Sequence, residues 1–60
     1  MAPQLSSVAT ALGELTARVG ALAEEMTAGA REDLATALFE VERSLATAAR
    51  RLEAMVDDLS

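Results

Sequence analysis

The large apolar residues in the first half of the chain recur at alternating spacings of three and four. Seven residues follow this rule without interruption: Leu5, Val8, Leu12, Leu15, Val19, Leu22 and Met26. The spacing is that of a heptad repeat, labelled a to g, on an amphipathic helix that packs against another helix. Position a holds Leu5, Leu12, Val19 and Met26, and position d holds Val8, Leu15 and Leu22. The pattern therefore predicts one long helix with a continuous apolar stripe.

A second stripe of the same kind runs through the second half of the chain. Its members are Leu34, Leu38, Val41, Leu45, Ala48, Leu52, Met55 and Leu59. Position a then falls on Leu38, Leu45, Leu52 and Leu59. The two stripes are out of phase, because Met26 and Leu34 are eight residues apart and a straight helix turns about 100° per residue. One partner helix could not cover both stripes, so the phase jump predicts a break near Gly29.

The predicted fold is all-α: an antiparallel helical hairpin, or two-helix coiled coil, that forms a single domain over residues 1–60. We place helix 1 at about residues 3–28, the turn at about residues 28–31 and helix 2 at about residues 31–59. Gly29 suits the left-handed backbone position that follows a helix C-terminus. Glycine has no Cβ, so this conformation costs it little.

The predicted register matches a positions with d positions. Folding the chain back about Ala30 places Leu15 opposite Leu45, and the other layers follow the same rule. A continuous helix is the alternative, because a single internal Gly costs only about 1 kcal/mol. Glu24 and Glu25 favour that alternative slightly, since acidic side chains are unfavourable in the last turn of a helix.

One side of the predicted hairpin consists of small residues at positions b and e, whereas most charged residues lie at c, f and g. Gly13 and Gly20 lie one heptad apart on this small-residue side, which indicates a close approach by another chain; neutral drift on a surface is the alternative. Phe39 is the single aromatic residue, and we expect it to anchor an interface, although one exposed Phe needs no explanation. The predicted interface comprises Ala9, Gly13, Thr16, Gly20, Ala23, Ala35, Phe39, Ala46, Ala49 and Val56.

The composition indicates that the chain needs a partner. A chain of 60 residues buries only about 60% of its unfolded surface, and such small domains usually rely on disulfides, a metal ion or oligomerisation. The chain has no Cys and no His, which removes disulfides and the common nitrogen ligand of zinc. Self-association remains, and two hairpins packed through the small-residue side would form a homodimeric four-helix bundle. Higher oligomers and hetero-complexes stay open.

The charge and the side-chain chemistry exclude several classes of function. A net charge of −5 lacks the basic surface that nucleic acids and anionic membranes attract. No stretch has the ~20 apolar residues of a transmembrane helix, and no export signal precedes the first stripe, so we expect a cytoplasmic protein. Without His to activate a Ser, we expect no enzyme activity, no catalytic residues and no cofactor. The pairs Glu24–Glu25 and Asp57–Asp58 indicate a solvated acidic surface rather than a metal site.

Two functional hypotheses remain. The first is a small non-catalytic protein–protein interaction module, a self-associating adaptor or regulatory subunit whose partner is itself, another protein or both. The second is an accessory or docking subunit of a larger enzyme complex, folded only with its partner. Neither hypothesis involves nucleic acid, a membrane or a small-molecule ligand. Arg50 and Arg51 could bind an acidic partner, but their spacing from nearby acids such as Glu53 favours charge balance along the helix.

Overall fold

The computed structural model describes residues 2–59, so Met1 and Ser60 of the predicted domain lie outside the described residues. Helix α1 spans Ala2–Ala28 and helix α2 spans Glu32–Leu59. The helices pack against each other along their length, which confirms the predicted helical hairpin. Their ends fall within one residue of the predicted bounds. The molecule is 45 Å long, close to the ~42 Å expected of a single 28-residue helix.

The hydroxyl groups of two threonines in α1 donate hydrogen bonds to carbonyl groups of the same helix. Thr16 Oγ1 donates a hydrogen bond of 2.7 Å to the carbonyl oxygen of Leu12, and Thr27 Oγ1 donates one of 3.1 Å to that of Ala23. A hydroxyl bonded to the preceding turn needs no partner on another helix. Thr16 can therefore lie half-buried beside α2 without an unsatisfied polar group.

A Schellman motif ends α1. The Arg31 N–H donates to the Met26 carbonyl at 2.8 Å, and the Ala30 N–H donates to the Thr27 carbonyl at 3.1 Å. These two bonds satisfy carbonyl groups that the end of a helix otherwise leaves unpaired. The chain thus reverses direction without a side-chain cap.

The left-handed residue of this motif is Ala30, with φ of 63°, and not Gly29 as the sequence suggested. Gly29 has no positive φ, and its N–H still donates to the Glu25 carbonyl at 2.9 Å in the helical pattern. The helical hydrogen bonds therefore continue through Gly29, and the reversal occurs one residue later. An L-residue in this conformation costs about 1–2 kcal/mol.

Opposite charges meet where α2 begins. The Nε and Nη2 atoms of Arg31 donate to the two carboxylate oxygens of Asp33, both at 3.3 Å. The guanidinium lowers the pKa of Asp33 below its ordinary 3.8, and a hydrogen bond from the Leu34 backbone lowers it further. Because the pKa is depressed in the folded state, this contribution to stability is present above the ordinary pKa and is lost as the pH falls below it. Both side chains are exposed, so the contribution is small.

The contact between the helices is formed by positions a and e, and the predicted pairing of a with d is wrong. The three buried side chains among the described residues are Ala9, Ala23 and Ala35, all at position e. The a positions from Leu5 to Leu52 are half-buried beside them, whereas the d positions other than Ala48 are exposed. Small side chains at e allow two helix axes to approach more closely than Leu or Val at d would.

Replacing Ala30 with Gly is expected to raise the free energy of unfolding by about 0.5–1 kcal/mol. The substitution removes the penalty of a left-handed L-residue, and the greater freedom of Gly in the unfolded chain offsets part of the gain. The measurement is the midpoint of urea unfolding followed by circular dichroism.

Gly29→Ala is the matched control one residue earlier. A Cβ there would lie 3.4 Å from the Glu25 carbonyl oxygen, an ordinary contact, so no loss of stability is expected. A loss of about 1 kcal/mol at position 29, with no gain at position 30, would place the left-handed residue at Gly29 and contradict this turn.

Candidate interaction surface

The ten residues of the predicted interface divide between the inside and the outside of the hairpin. Three of them, Ala9, Ala23 and Ala35, are buried, and Thr16, Gly20, Ala46, Ala49 and Val56 are half-buried. Gly13 and Phe39 are exposed. The e positions are thus covered by the opposite helix of the same chain, because the helices meet along a and e. As a contact surface for a second chain, the set stays a prediction.

Gly20 permits a close approach within the chain. A Cβ built on Gly20 would lie 3.0 Å from Cδ of Glu42 and closer still to one of its carboxylate oxygens. Glu42 is half-buried at position e of α2. The close approach expected at Gly20 is therefore made by α2 of the same molecule. At Gly13, by contrast, no atom lies within 4 Å of such a Cβ.

Six large apolar side chains at position d remain exposed. Between 41% and 55% of each is accessible to solvent. We call these residues the apolar face: Val8, Leu15, Leu22, Leu34, Val41 and Met55. The heptad pattern predicts these residues in the contact between the helices, and the structure places them outside it. The signal that could have placed them outside is Ala at four e positions, 9, 23, 35 and 49.

The apolar face lies on one side of the hairpin. Position d is rotated about 60° from position a in one direction, and position e about 40° in the other. Because the helices are antiparallel, the d positions beside an a/e contact point to the same side, and the b positions point to the opposite side. On the d side, Val8 at position d of α1 lines one shallow cavity with Leu59 at position a of α2. Gly13 and Glu53, both at b, line a separate groove.

Charged residues border the apolar face. They occupy positions c and g, are all exposed, and carry both signs: Glu14, Arg18, Glu25, Glu40, Arg51 and Asp58. An uncharged apolar centre with a polar rim is the usual composition of a protein–protein interface. Phe39, at position b, lies away from this face and is 41% exposed.

The chain exposes more surface than a compact protein of its mass. A folded protein of 6.2 kDa exposes about 3,700 Å², whereas this chain exposes 4421 Å². The radius of gyration is 13.8 Å, against about 10 Å for a compact chain of 60 residues. No side chain larger than Ala is buried among residues 2–59. The excess of about 700 Å² indicates that one hairpin leaves a face of its core uncovered.

Apart from its apolar face, the described chain presents little candidate chemistry. Residues 2–59 bring together no group of three or more acidic side chains that could hold a metal ion. Over the same residues, neither helix combines the length and the apolar character needed to cross a bilayer. The interaction that the apolar face itself offers is the burial of apolar area.

No family model matches the chain, and comparisons with curated proteins and with solved structures find no match either. A function for the chain is therefore inferred from the exposure, charge and packing of its own residues. Among them, the apolar face is the feature that a lone hairpin leaves unexplained.

Replacing Gly13 with Ala is expected to raise the free energy of unfolding by about 0.5–1 kcal/mol, because the space is open and Ala favours a helix. Gly20→Ala should gain less, because the Glu42 side chain has to move. Adding Glu42→Ala should restore the gain at Gly20. The measurement is a double-mutant cycle on urea unfolding.

Two outcomes would contradict this interpretation of the glycines. Equal gains at positions 13 and 20 with Glu42 intact would mean that Glu42 does not press on Gly20. A loss of stability on Gly13→Ala would mean that a second chain approaches Gly13, as the sequence-based interface requires.

Proposed function

We propose that the chain is a small non-catalytic protein–protein interaction module that self-associates and serves as an adaptor or regulatory subunit. The observation that supports this proposal is the apolar face, an uncharged set of six large side chains on one side of a hairpin 45 Å long and 14 Å wide. The side of the hairpin that carries this face measures about 600 Å², and a large exposed apolar patch rimmed by polar residues marks an interaction site.

Covering the apolar face supplies free energy that a single hairpin lacks. Removing the exposed half of one such side chain from water is worth about 1 kcal/mol. Twelve of these side chains, six from each of two molecules, contribute on the order of 10 kcal/mol, comparable to the ~4–15 kcal/mol that association costs. The half-buried a positions add to the gain when a second molecule covers them. Folding and association are therefore expected to be coupled.

An accessory or docking subunit of a larger enzyme complex is the second candidate. The observation in its favour is that the buried side chains of the described residues are three alanines, so one hairpin has little core of its own. On this hypothesis the chain folds only on its partner. Circular dichroism separates the two candidates, because the purified chain is cooperatively helical in the first case and poorly folded in the second.

Leu15→Glu is expected to weaken self-association by at least about 100-fold and to reduce helicity at micromolar concentration. A carboxylate buried without a partner costs more than the ~2.7 kcal/mol that this factor represents. Sedimentation velocity and circular dichroism over a range of concentrations measure both effects. Ala17→Glu, two residues away at exposed position f, is the matched control and should change neither.

The wild-type chain provides the decisive comparison. A cooperatively folded monomer at micromolar concentration would contradict the proposed self-association. Dissociation by Phe39→Glu but not by Leu15→Glu would support the small-residue side as the interface instead. In a lone hairpin both residues are about half exposed, so neither substitution should matter if the monomer is the stable form.

A further inference from the structure

We infer that the apolar face is covered by the apolar face of a second copy of this chain, related by a two-fold axis that places the two turns at opposite ends of a four-helix bundle. This inference rests on the proposed self-association and adds the contact surface and the orientation. Each α1 then packs against the α1 of the second copy, and each α2 against its counterpart.

The apolar residues of α1 are symmetric about Leu15. Val8 lies seven residues before it and Leu22 seven residues after it. A two-fold axis that crosses α1 at Leu15 brings this residue onto the same residue of the second copy, and Val8 opposite Leu22 of the second copy. Two-fold contacts of this isologous kind require a surface that is complementary to itself.

The apolar residues of α2 are symmetric about a point at the same level. That point falls between Val41 and Ala48, next to Leu45. Because α1 ends two residues before Ala30 and α2 begins two residues after it, Leu45 falls at about the level of Leu15. One axis therefore serves both helices. It places Leu34 opposite Met55, and Val41 opposite Ala48, between the two copies.

The other two-fold arrangement, with both turns at one end, fits the apolar face less well. It packs α1 of one copy against α2 of the other, so that Leu15 meets Ala48. Leu34 then lies level with Met26 of the second copy, four residues from Leu22, the nearest member of that copy's apolar face. The turn region also carries four acidic residues, at positions 24, 25, 32 and 33, against the single Arg31. Placing two such turns side by side brings like charges within a Debye length.

The area and the rim charges fit a second copy. The chain exposes about 700 Å² more than a compact protein of its mass, and each partner in a standard interface buries about 800 Å². Along the rim, the axis brings Arg18 within one residue of the level of Ala11 of the second copy, and Glu25 within one residue of the level of Gln4. Arg51 falls within one residue of the level of Ala37 in the same way. Glu14 of each copy lies beside the axis, within two residues of the level of both Glu14 and Arg18 of the second copy, so each acidic side chain there has a basic one equally near.

Single-cysteine cross-linking tests the orientation, because the chain contains no Cys. Leu15→Cys should form a covalent dimer on oxidation, or with a short bis-maleimide, at least about tenfold faster than Leu22→Cys. Two copies of residue 22 are separated by 14 residues of helix, about 21 Å. A mixture of Val8→Cys and Leu22→Cys should give the mixed dimer. Sedimentation confirms that each variant is still a dimer.

The outcomes separate this inference from the function on which it rests. Cross-linking of a mixture of Leu15→Cys and Ala48→Cys, without self-linking of Leu15→Cys, places the turns at one end and overturns the orientation. A dimer that none of these pairs cross-links has its interface elsewhere, which overturns the surface but leaves self-association standing. If Leu15→Cys does not fold, the mixture of Val8→Cys and Leu22→Cys alone decides the orientation. A wild-type monomer contradicts the proposed function itself.

Discussion

The close packing of alanines between the two helices is the constraint on which the rest of this structure depends. Ala9, Ala23 and Ala35 are the buried side chains of residues 3–59, and they lie on the same flank of the a positions in both helices. Because these residues are small, the helices approach closely, but each buries little apolar area. The hairpin therefore holds its two helices together while it leaves the six larger d side chains about half exposed to water.

The features that could be predicted from the sequence are those that local periodicity determines. The spacing of three and four specifies two helices, and the phase jump between Met26 and Leu34 specifies where they break. Both follow from the geometry of a single helix. The choice between Gly29 and Ala30 as the left-handed residue is a matter of one residue, decided by how far the helical hydrogen bonds of α1 continue. The preference of Gly for a left-handed backbone does not show how far the helical hydrogen bonds continue.

The contact between the helices could not be predicted from periodicity, because positions d and e both flank position a and both are apolar here. Pairing a with d follows the usual coiled-coil rule, but Ala at e allows the closer approach, and a hairpin can use only one flank. For the same reason, the candidate interface lies at position d and not at positions b and e. An unfilled core still needs a partner, but with the e positions inside, the uncovered flank is the one that carries Val8, Leu15 and Leu22.

The two flanks of each helix also differ in what they can accept. An alanine-lined flank suits another small-residue surface at short interaxial distance, whereas Leu, Val and Met at position d require a wider spacing and large side chains opposite them. A partner with small residues at this face would leave cavities, which cost stability in proportion to their volume. Except at Ala48, the chain's own apolar face supplies side chains of the required size at a seven-residue spacing. The size of the d residues therefore favours a second copy over a partner built like the alanine-lined contact.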